Sequence, residues 1–160
     1  MSVEIAFDVH QQWMDKAIAL AKQAGAQGEI PVGAIAIDTD GQILGTGENR
    51  KERDRDPTAH AEMLAIRAAA RTRKDWHLTT CTLYVTLEPC PMCAGAIVQA
   101  RIGTLVYGAD DPKTGAIRTA IDIPNSVASF HRRLQVIAGI RELECQQLLQ
   151  SWFQQHRQNS

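Results

Sequence analysis

The sequence predicts an α/β fold in which one β-sheet is covered by helices on both faces. A predicted strand hairpin is followed by helix, strand, helix, strand and helix, an order typical of layered α/β folds. Groups of potentially catalytic or metal-binding side chains lie where a predicted strand is followed by a predicted helix, which is a usual place for ligands in such folds. The 160 residues contain no repeat or low-complexity tract that would divide them. We therefore expect one domain over residues 1–160, which suits a chain of this length.

The first third of the chain predicts a helix and a hairpin. Apolar residues at helical spacing indicate an amphipathic first helix: Trp13, Met14, Ala17, Ile18 and Ala21. Gly25 and Gly28 mark its end. Two strands are predicted at 32–37 and 42–47, and the turn Asp38–Gly41 between them indicates a hairpin.

The rest of the chain predicts three more strands and three helices. A helix is expected over Ala59–Thr72, and a β-branched and aromatic strand over Thr82–Leu87. A helix of small residues follows at 93–100, a strand at 104–107, a loop at 110–115 and a last strand at 134–137. The final helix, about 140–156, carries one apolar stripe: Cys145, Leu148, Leu149, Trp152 and Phe153. We expect that stripe to be core or dimer surface, with Cys145 packing as a small hydrophobe.

Two short motifs carry the metal-type chemistry of the chain. His60-Ala61-Glu62 and Pro89-Cys90-Pro91-Met92-Cys93 offer one imidazole, two thiols and one carboxylate that is not needed as a ligand. Three protein ligands leave a tetrahedral zinc one coordination position short, and that position can hold a water. Glu62 is suited to take a proton from that water and to return it during the reaction. The pattern therefore predicts a hydrolytic zinc site rather than a structural one.

Local signals place both motifs at helix starts. Asp56 is predicted to be an N-cap with Pro57 at the first helical position, so that His60 and Glu62 lie in the first turns. Cys90 and Cys93 are three residues apart and share a helix face if a helix starts near Cys90. The free N–H groups and the positive dipole end there favour thiolates.

The Cys-x-x-Cys pair taken alone is also compatible with a redox dithiol or with half of a structural zinc site. A redox pair has no use for a His-x-Glu motif. A structural site needs a fourth ligand, and the candidates Cys81, Cys145, His77 and His131 form no second closely spaced pair. The two motifs together therefore favour the hydrolytic site.

Composition describes an ordinary globular protein. The hydrophobic share of 44% and the charged share of 22% are typical of soluble domains. The first residues include Glu4 and Asp8 and no apolar core of a signal peptide, and no apolar run approaches the roughly 20 residues of a membrane span. With four cysteines, two of them in a metal-type motif, we expect the cytoplasm rather than an oxidising compartment. The net charge of −1 alone gives no reason to expect an RNA partner.

His-x-Glu followed by Pro-Cys-x-x-Cys is the signature of zinc nucleobase deaminases. The chain resembles the tRNA-specific adenosine deaminases over nearly its whole length, from about Trp13 to Phe153. Four segments carry the resemblance: Ile30–Ala34 (IPVGA), Asp56–Glu62 (DPTAHAE), Leu83–Ile97 (LYVTLEPCPMCAGAI) and Lys113–Ala116 (KTGA). It implies a three-layer α-β-α cytidine-deaminase-like fold with a central five-stranded mixed sheet. The deaminase core would span about 10–120.

The same resemblance implies a function and a set of site residues. The family converts adenosine to inosine at the wobble position of a tRNA anticodon, which in bacteria is that of an arginine tRNA. By position, His60, Cys90 and Cys93 would bind one Zn²⁺ per subunit, and Glu62 would move protons. Asn49 would contact the target nucleoside. Family members are homodimers with the anticodon loop docked across the dimer.

Further residues are weaker candidates for substrate contact. Lys113 and Arg118 flank a glycine-bearing loop and could meet phosphate, the alternative being a solvated loop. Phe153 and Arg157, at the end of the final helix, could touch RNA, whereas the favoured role of that apolar stripe is core or dimer surface. The charged segment 50–56 is expected to be a hydrated loop. Glu88 either orients a metal ligand or caps the following helix.

The segment 117–129 departs from the family because it lacks the usual Gly-Ser-Leu after Lys-Thr-Gly-Ala. His131-Arg132 falls near the family's His-Arg pair.

Three functions remain to be separated. The first is tRNA adenosine deamination, and the second is deamination of guanine or another free base or nucleoside by the same fold. Guanine deaminases carry very similar Pro-Cys-Pro-Met-Cys segments, so the zinc motif does not fix the base. The third is a non-catalytic, zinc-stabilised RNA-binding or redox module. Only the first two need Glu62 for turnover.

Overall fold

A computed structural model describes residues 5–129 and 133–157. Helix α1 spans Phe7–Ala26, and the hairpin strands β1 and β2 span Gly33–Ile37 and Ile43–Glu48. Then come α2 (Ala61–Arg73), β3 (Thr82–Leu87), α3 (Pro91–Gln99), β4 (Thr104–Ala109), β5 (Gln135–Ala138) and α4 (Glu142–Arg157). The strands form one five-stranded mixed sheet in the order β2-β1-β3-β4-β5. β1 is antiparallel to β2 and β3, whereas β3, β4 and β5 are parallel.

The sheet separates two apolar cores, which makes the fold three-layered. Alternate residues of the central strands face α2 and α3 on one side, where small alanines such as Ala65 and Ala94 pack against Leu83 and Val85. The residues between them face α1 and α4 on the other side, where Tyr84 and Val106 meet Met14 and Cys145. Because both faces are covered, the central parallel strands β3 and β4 are buried along almost their whole length, whereas β5 at the sheet edge is partly exposed. The predicted three-layer α-β-α fold is confirmed.

Helix α2 lies unusually close to the hairpin because β2 has glycine where it crosses the helix. A Cβ at Gly45 would lie 2.5 Å from the carbonyl oxygen of Ala65, and one at Gly47 would overlap the carbonyl oxygen of Ala61. Without side chains at these two positions, the backbone of α2 can rest on the strand. This contact fixes the start of α2, which carries His60 and Glu62.

Most predicted elements are confirmed within a few residues, but the start of α2 is wrong. Asp56 does not cap a helix. Its Oδ1 accepts hydrogen bonds from the backbone N–H (2.8 Å) and the hydroxyl (2.7 Å) of Thr58, which close a local turn. The chain then runs extended through His60, which is the N-cap of α2 with φ −77° and ψ 153°.

Cys145 and Cys81 are buried at 1% exposure, as expected. Within the described residues, no helix combines the length and apolar character needed to cross a membrane.

Candidate active site

The N-terminal ends of α2 and α3 lie close together near the carboxyl end of β3. His60 is the N-cap of α2, and Cys90 is the N-cap of α3, with Pro91 opening that helix. Cys93 lies one turn further into α3, so both sulfur atoms face the same side. β3, which ends at Leu87, leads into the cysteine motif, so the sheet positions these side chains.

The three donor atoms fit a tetrahedral zinc. The Nδ1 atom of His60 lies 3.6 Å from the Sγ atom of Cys90 and 3.5 Å from that of Cys93. Zinc–nitrogen and zinc–sulfur bonds of about 2.0 and 2.3 Å at a tetrahedral angle separate such atoms by about 3.5 Å. All three donor atoms lie within 4.8 Å of one another. The residues therefore suit zinc in both chemistry and spacing.

Among residues 5–129 and 133–157, no fourth His, Cys or carboxylate donor joins this cluster. Cys81 lies instead 3.6 Å from the guanidinium of Arg73, Cys145 belongs to α4 and packs into the apolar core between α4 and the sheet, and His77 pairs with Asp75. His131 lies outside the described residues. The described part of the chain thus offers a three-ligand site, which is the type that leaves a position open for catalysis.

The sulfur atoms differ in their readiness to lose a proton. A hydrogen bond from Cys93 lowers the pKa of the Cys90 thiol to about 4, with the His60 imidazole and the Cys93 backbone N–H acting in the same direction. Conversely, the hydrogen bond to Cys90 and burial raise the pKa of Cys93. One thiolate is therefore favoured by the protein alone, and a bound cation would favour the second.

Glu62 is a buried carboxylate beside these donors. It is 4% exposed and lies in the first turn of α2. Burial raises the pKa of the Glu62 carboxyl to about 7, and the negative charge at Cys90 acts in the same direction. A carboxyl group that titrates near neutrality can both accept and donate a proton, as a general acid–base residue must.

His60, Glu62 and Cys90 line a cavity of about 190 Å³. This is below the range of about 300–1,000 Å³ typical of drug-sized ligand sites, so the cavity suits a group the size of a nucleobase. Its walls combine apolar and polar side chains: Ile30, Val32, Asn49, Lys51, His60, Ala61, Glu62, Leu87, Glu88, Cys90, Asp111 and Thr114. A larger hollow of about 530 Å³ between α1 and α4 is lined by no imidazole or thiol.

Asn49 lies at the cavity wall directly after β2 and is 7% exposed. Its side-chain amide donates to the carbonyl oxygen of Ile30 (3.1 Å), and its Oδ1 accepts from the backbone N–H of Lys51 (3.1 Å). These two bonds fix the orientation of the amide. One N–H and one lone pair remain for another partner.

The loop after Asn49 is held by Glu29, a residue that no motif in the sequence indicated. Glu29 is 1% exposed and accepts hydrogen bonds from the backbone N–H groups of Glu52 (2.9 Å) and Arg53 (2.8 Å). The Arg53 guanidinium pairs with both Glu29 and Glu48 at 3.2 Å. The segment 50–56 is therefore anchored at its centre, and the expectation of a merely hydrated loop is wrong for Arg53. The sequence signal that could have indicated Glu29 is its position as a lone carboxylate directly before the apolar run at 30–37.

Glu88 neither orients a metal ligand nor caps α3, so both predicted roles are wrong. It is 2% exposed and binds the segment Asp111–Thr119. Its donors are the backbone N–H groups of Asp111, Ile117, Arg118 and Thr119 and the Thr119 hydroxyl. Burial acts to raise the pKa of Glu88, but these donors outweigh burial and hold the pKa below its ordinary value.

The other predicted contact residues lie outside the cavity wall. Lys113 is exposed in the loop that Glu88 holds. The side chain of Arg118 is 58% exposed, with its guanidinium 3.9 Å from Asp110 and 5.8 Å from the ring centre of Tyr107. Phe153, on α4, is 40% exposed and packs edge-on against Trp152. His131-Arg132 lies outside the described residues. Asp111 and Thr114, which do line the cavity, were not predicted individually.

Comparison with known proteins identifies the family. Residues 8–109 match the cytidine and deoxycytidylate deaminase zinc-binding region. The tRNA-specific adenosine deaminase of Haemophilus influenzae is 43% identical over 157 residues, covering 98% of this chain and 90% of that protein. A solved structure from a study of A-to-I editing by tRNA:A34 deaminases superposes with a TM-score of 0.82 at 39% identity, covering 86% of this chain and 99% of the other.

A guanine deaminase from Bacillus subtilis shares the fold at a lower level. Its structure has a TM-score of 0.60 at 34% identity and covers 70% of this chain and 82% of its own. Identity, coverage and structural agreement are all higher for the tRNA enzymes. The chain therefore belongs to the zinc-dependent cytidine and deoxycytidylate deaminase family, and within it to the tRNA-specific adenosine deaminases.

Proposed function

We propose that this protein hydrolyses adenosine to inosine at the wobble position of a tRNA anticodon, with an arginine tRNA as the expected substrate. The observation that carries this proposal is the cluster of zinc-type donors from His60, Cys90 and Cys93, which adjoins a base-sized cavity. His60, Cys90 and the buried carboxylate of Glu62 line that cavity. An unpaired base of an anticodon loop can enter such a cavity at low cost, whereas a base inside a duplex cannot.

His60, Cys90 and Cys93 would hold one Zn²⁺ per subunit. Zinc, when bound, supplies Lewis acidity that lowers the pKa of a coordinated water to about 7. Glu62 would accept a proton from the attacking water and deliver it to N1 of the purine ring. It would then carry the proton of the new C6 hydroxyl group to the departing amino group. Water adds at C6 of adenine, and ammonia leaves. The buried position of Glu62 suits this role because burial raises the pKa of its carboxyl group to about 7.

Asn49 would orient the target nucleoside. Its amide is fixed by Ile30 and Lys51 and still offers one donor and one acceptor toward the cavity. Lys113, Arg118 and Phe153 would contact the RNA beyond the target base. Their exposure supports contact with a ligand that extends outside the cavity, since none of them lines it.

The proposal extends to assembly and compartment. By likeness to its relatives, the chain would act as a single-domain homodimer that binds the anticodon loop across the dimer. None of the four cysteines is in a disulfide, and two of them would bind Zn²⁺, which supports the reducing cytoplasm as the compartment.

The competing candidate is a guanine deaminase, since the guanine deaminase of Bacillus subtilis shares the fold. Purified zinc-loaded protein is incubated in parallel with the anticodon stem-loop of an arginine tRNA and with guanine. Nucleoside analysis of the RNA and an ammonia assay on the guanine reaction are the measurements. Inosine at the wobble position supports the proposal. Ammonia from guanine with unchanged RNA contradicts it.

A further inference from the structure

Glu88 is a buried carboxylate that lies beside the metal-type donors and binds a different part of the molecule. It follows β3 and precedes Cys90 by two residues, yet its hydrogen-bond donors come from a segment 23 to 31 residues further along the chain. That segment, Asp111–Thr119, is the 111–119 loop. A side chain that accepts hydrogen bonds from residues so distant in the sequence stabilises tertiary structure rather than a local turn.

Both carboxylate oxygens of Glu88 are used. Oε2 accepts from the backbone N–H groups of Ile117 (3.2 Å), Arg118 (3.0 Å) and Thr119 (3.0 Å). Oε1 accepts from the backbone N–H of Asp111 (3.1 Å) and from the hydroxyl of Thr119. One side chain thus ties the first and the last residues of the loop to the end of β3.

The loop is shaped to admit this carboxylate. A Cβ at Gly115 would overlap Oε1 of Glu88 and would lie 2.5 Å from the carbonyl oxygen of Asp111. Glycine therefore permits the close approach that the hydrogen bonds require.

The anchored loop forms part of the cavity wall and carries two exposed cations. Asp111 and Thr114 line the cavity together with Glu88, whereas Lys113 and Arg118 project from the same loop into solvent. The backbone N–H of Arg118 is itself a donor to Glu88. A substitution that removes the Glu88 carboxylate would consequently shift both the cavity wall, at Asp111 and Thr114, and the exposed side chains of Lys113 and Arg118.

We propose that Glu88 is a positioning residue that fixes the 111–119 loop as the substrate-facing wall and thereby sets the affinity for an RNA strand, not the rate of the chemical step. This inference rests on the proposed function in one respect, because that function identifies the ligand as RNA. The anchoring itself depends only on the contacts of Glu88. Effects on KM without equal effects on kcat are expected of a residue that acts on binding.

Two variants of graded severity test the anchor. Glu88→Gln keeps the shape but places an amide N–H₂ group against donors that need an acceptor. Thr119→Val removes only the hydroxyl that donates to Oε1. Glu144→Gln, on the exposed first turn of α4, makes the same chemical change away from the cavity and is the matched control.

The measurements are zinc content, backbone amide hydrogen exchange, and the KM and kcat for the arginine anticodon stem-loop. For Glu88→Gln we expect one zinc per chain, exchange at Asp111 and 117–119 faster by about ten-fold or more, KM higher by about ten-fold, and kcat within about three-fold of the parent. Thr119→Val should shift the same quantities less, and Glu144→Gln should shift none. Unchanged exchange, loss of zinc, or a fall in kcat at constant KM would overturn the proposal.

The two proposals fail in different ways. If the parent protein forms no inosine in RNA, the proposed function is wrong. Amide exchange still decides the anchor in that case, because faster exchange in Glu88→Gln supports it and unchanged exchange overturns it, whatever the substrate.

Discussion

Two buried carboxylates, Glu29 and Glu88, organise the loops on either side of the catalytic cavity. Each accepts hydrogen bonds from backbone N–H groups of a distant segment. Glu29 lies shortly before β1, and Glu88 directly follows β3. The residues proposed to meet substrate, Asn49 on one side and Lys113 on the other, lie in or beside these anchored segments. The chemistry of the site therefore depends on side chains that do not themselves touch the reacting atoms.

Glu29 gives a pH-dependent contribution to stability. Burial acts to raise the pKa of Glu29, but the N–H groups of Arg53 and Glu52 and the Arg53 guanidinium outweigh it and hold the pKa below the ordinary 4.5. A depressed pKa stabilises the fold above the unfolded value, and this contribution is lost as the pH falls through the folded value. Glu29→Gln should therefore be less stable than the parent at pH 7, and the gap should narrow below about pH 4.5.

Urea unfolding of both proteins across pH 3–7 measures this difference. Glu52→Gln, whose exposed side chain is not part of the contact, is the control. A gap that stays constant with pH would contradict the ionic role of Glu29.

At the scale of the elements, the start of α2 shows where sequence signals reach their limit. Asp56 accepts the N–H of the residue two positions on, which is also what an N-cap side chain does, so the local pattern is the same for a turn and for a helix start. Packing decides between them. β2 offers a glycine at 47 directly under Ala61, and the helix begins where its backbone meets that glycine.

Gly47→Ala should destabilise the protein by about 1–3 kcal/mol, because the added methyl group would overlap the carbonyl oxygen of Ala61 and force α2 away from β2. Activity should fall as well, since Ala61 lies between His60 and Glu62. Gly95→Ala is the matched control within α3, where a Cβ meets nothing within 4 Å and should stabilise the helix by about 0.5–1 kcal/mol. Thermal or urea unfolding measures both. Equal effects of the two substitutions would show that the close approach of α2 is unimportant.

Most of the fold and the metal-type site were predictable because their signals are local. Helical spacing, β-branched runs and the two motifs His60-Ala61-Glu62 and Cys90-x-x-Cys93 each lie within a short window. The role of Glu88 was not predictable because its donors lie in an irregular loop more than twenty residues away. The antiparallel pairing of β1 with β3 was likewise beyond local patterns, since residues 38–81 intervene.

At the scale of the whole molecule, the charge balance limits how RNA can be bound. A net charge of −1 provides no general attraction for phosphate, so binding must come from a few local cations and from the pocket. The affinity for RNA should consequently fall only modestly as the salt concentration rises.

Lys113→Ala and Arg118→Ala should each weaken binding of the anticodon stem-loop and reduce the slope of log Kd against log salt by about 0.7, the value for one lost phosphate contact with a single strand. Lys22→Ala, on α1 beside the hollow between α1 and α4, is the matched control and should leave the slope unchanged. Fluorescence anisotropy from low to moderate salt gives the slopes. Identical slopes for all variants would remove these two residues from the interface.

The most direct measurement compares the parent with Glu62→Gln on the arginine anticodon stem-loop, with zinc content determined for both. We expect inosine at the wobble position with the parent, and a rate lower by about 10²–10⁴-fold with Glu62→Gln at unchanged zinc content. A Glu62→Gln enzyme that forms inosine as fast as the parent would contradict hydrolysis assisted by the Glu62 carboxylate.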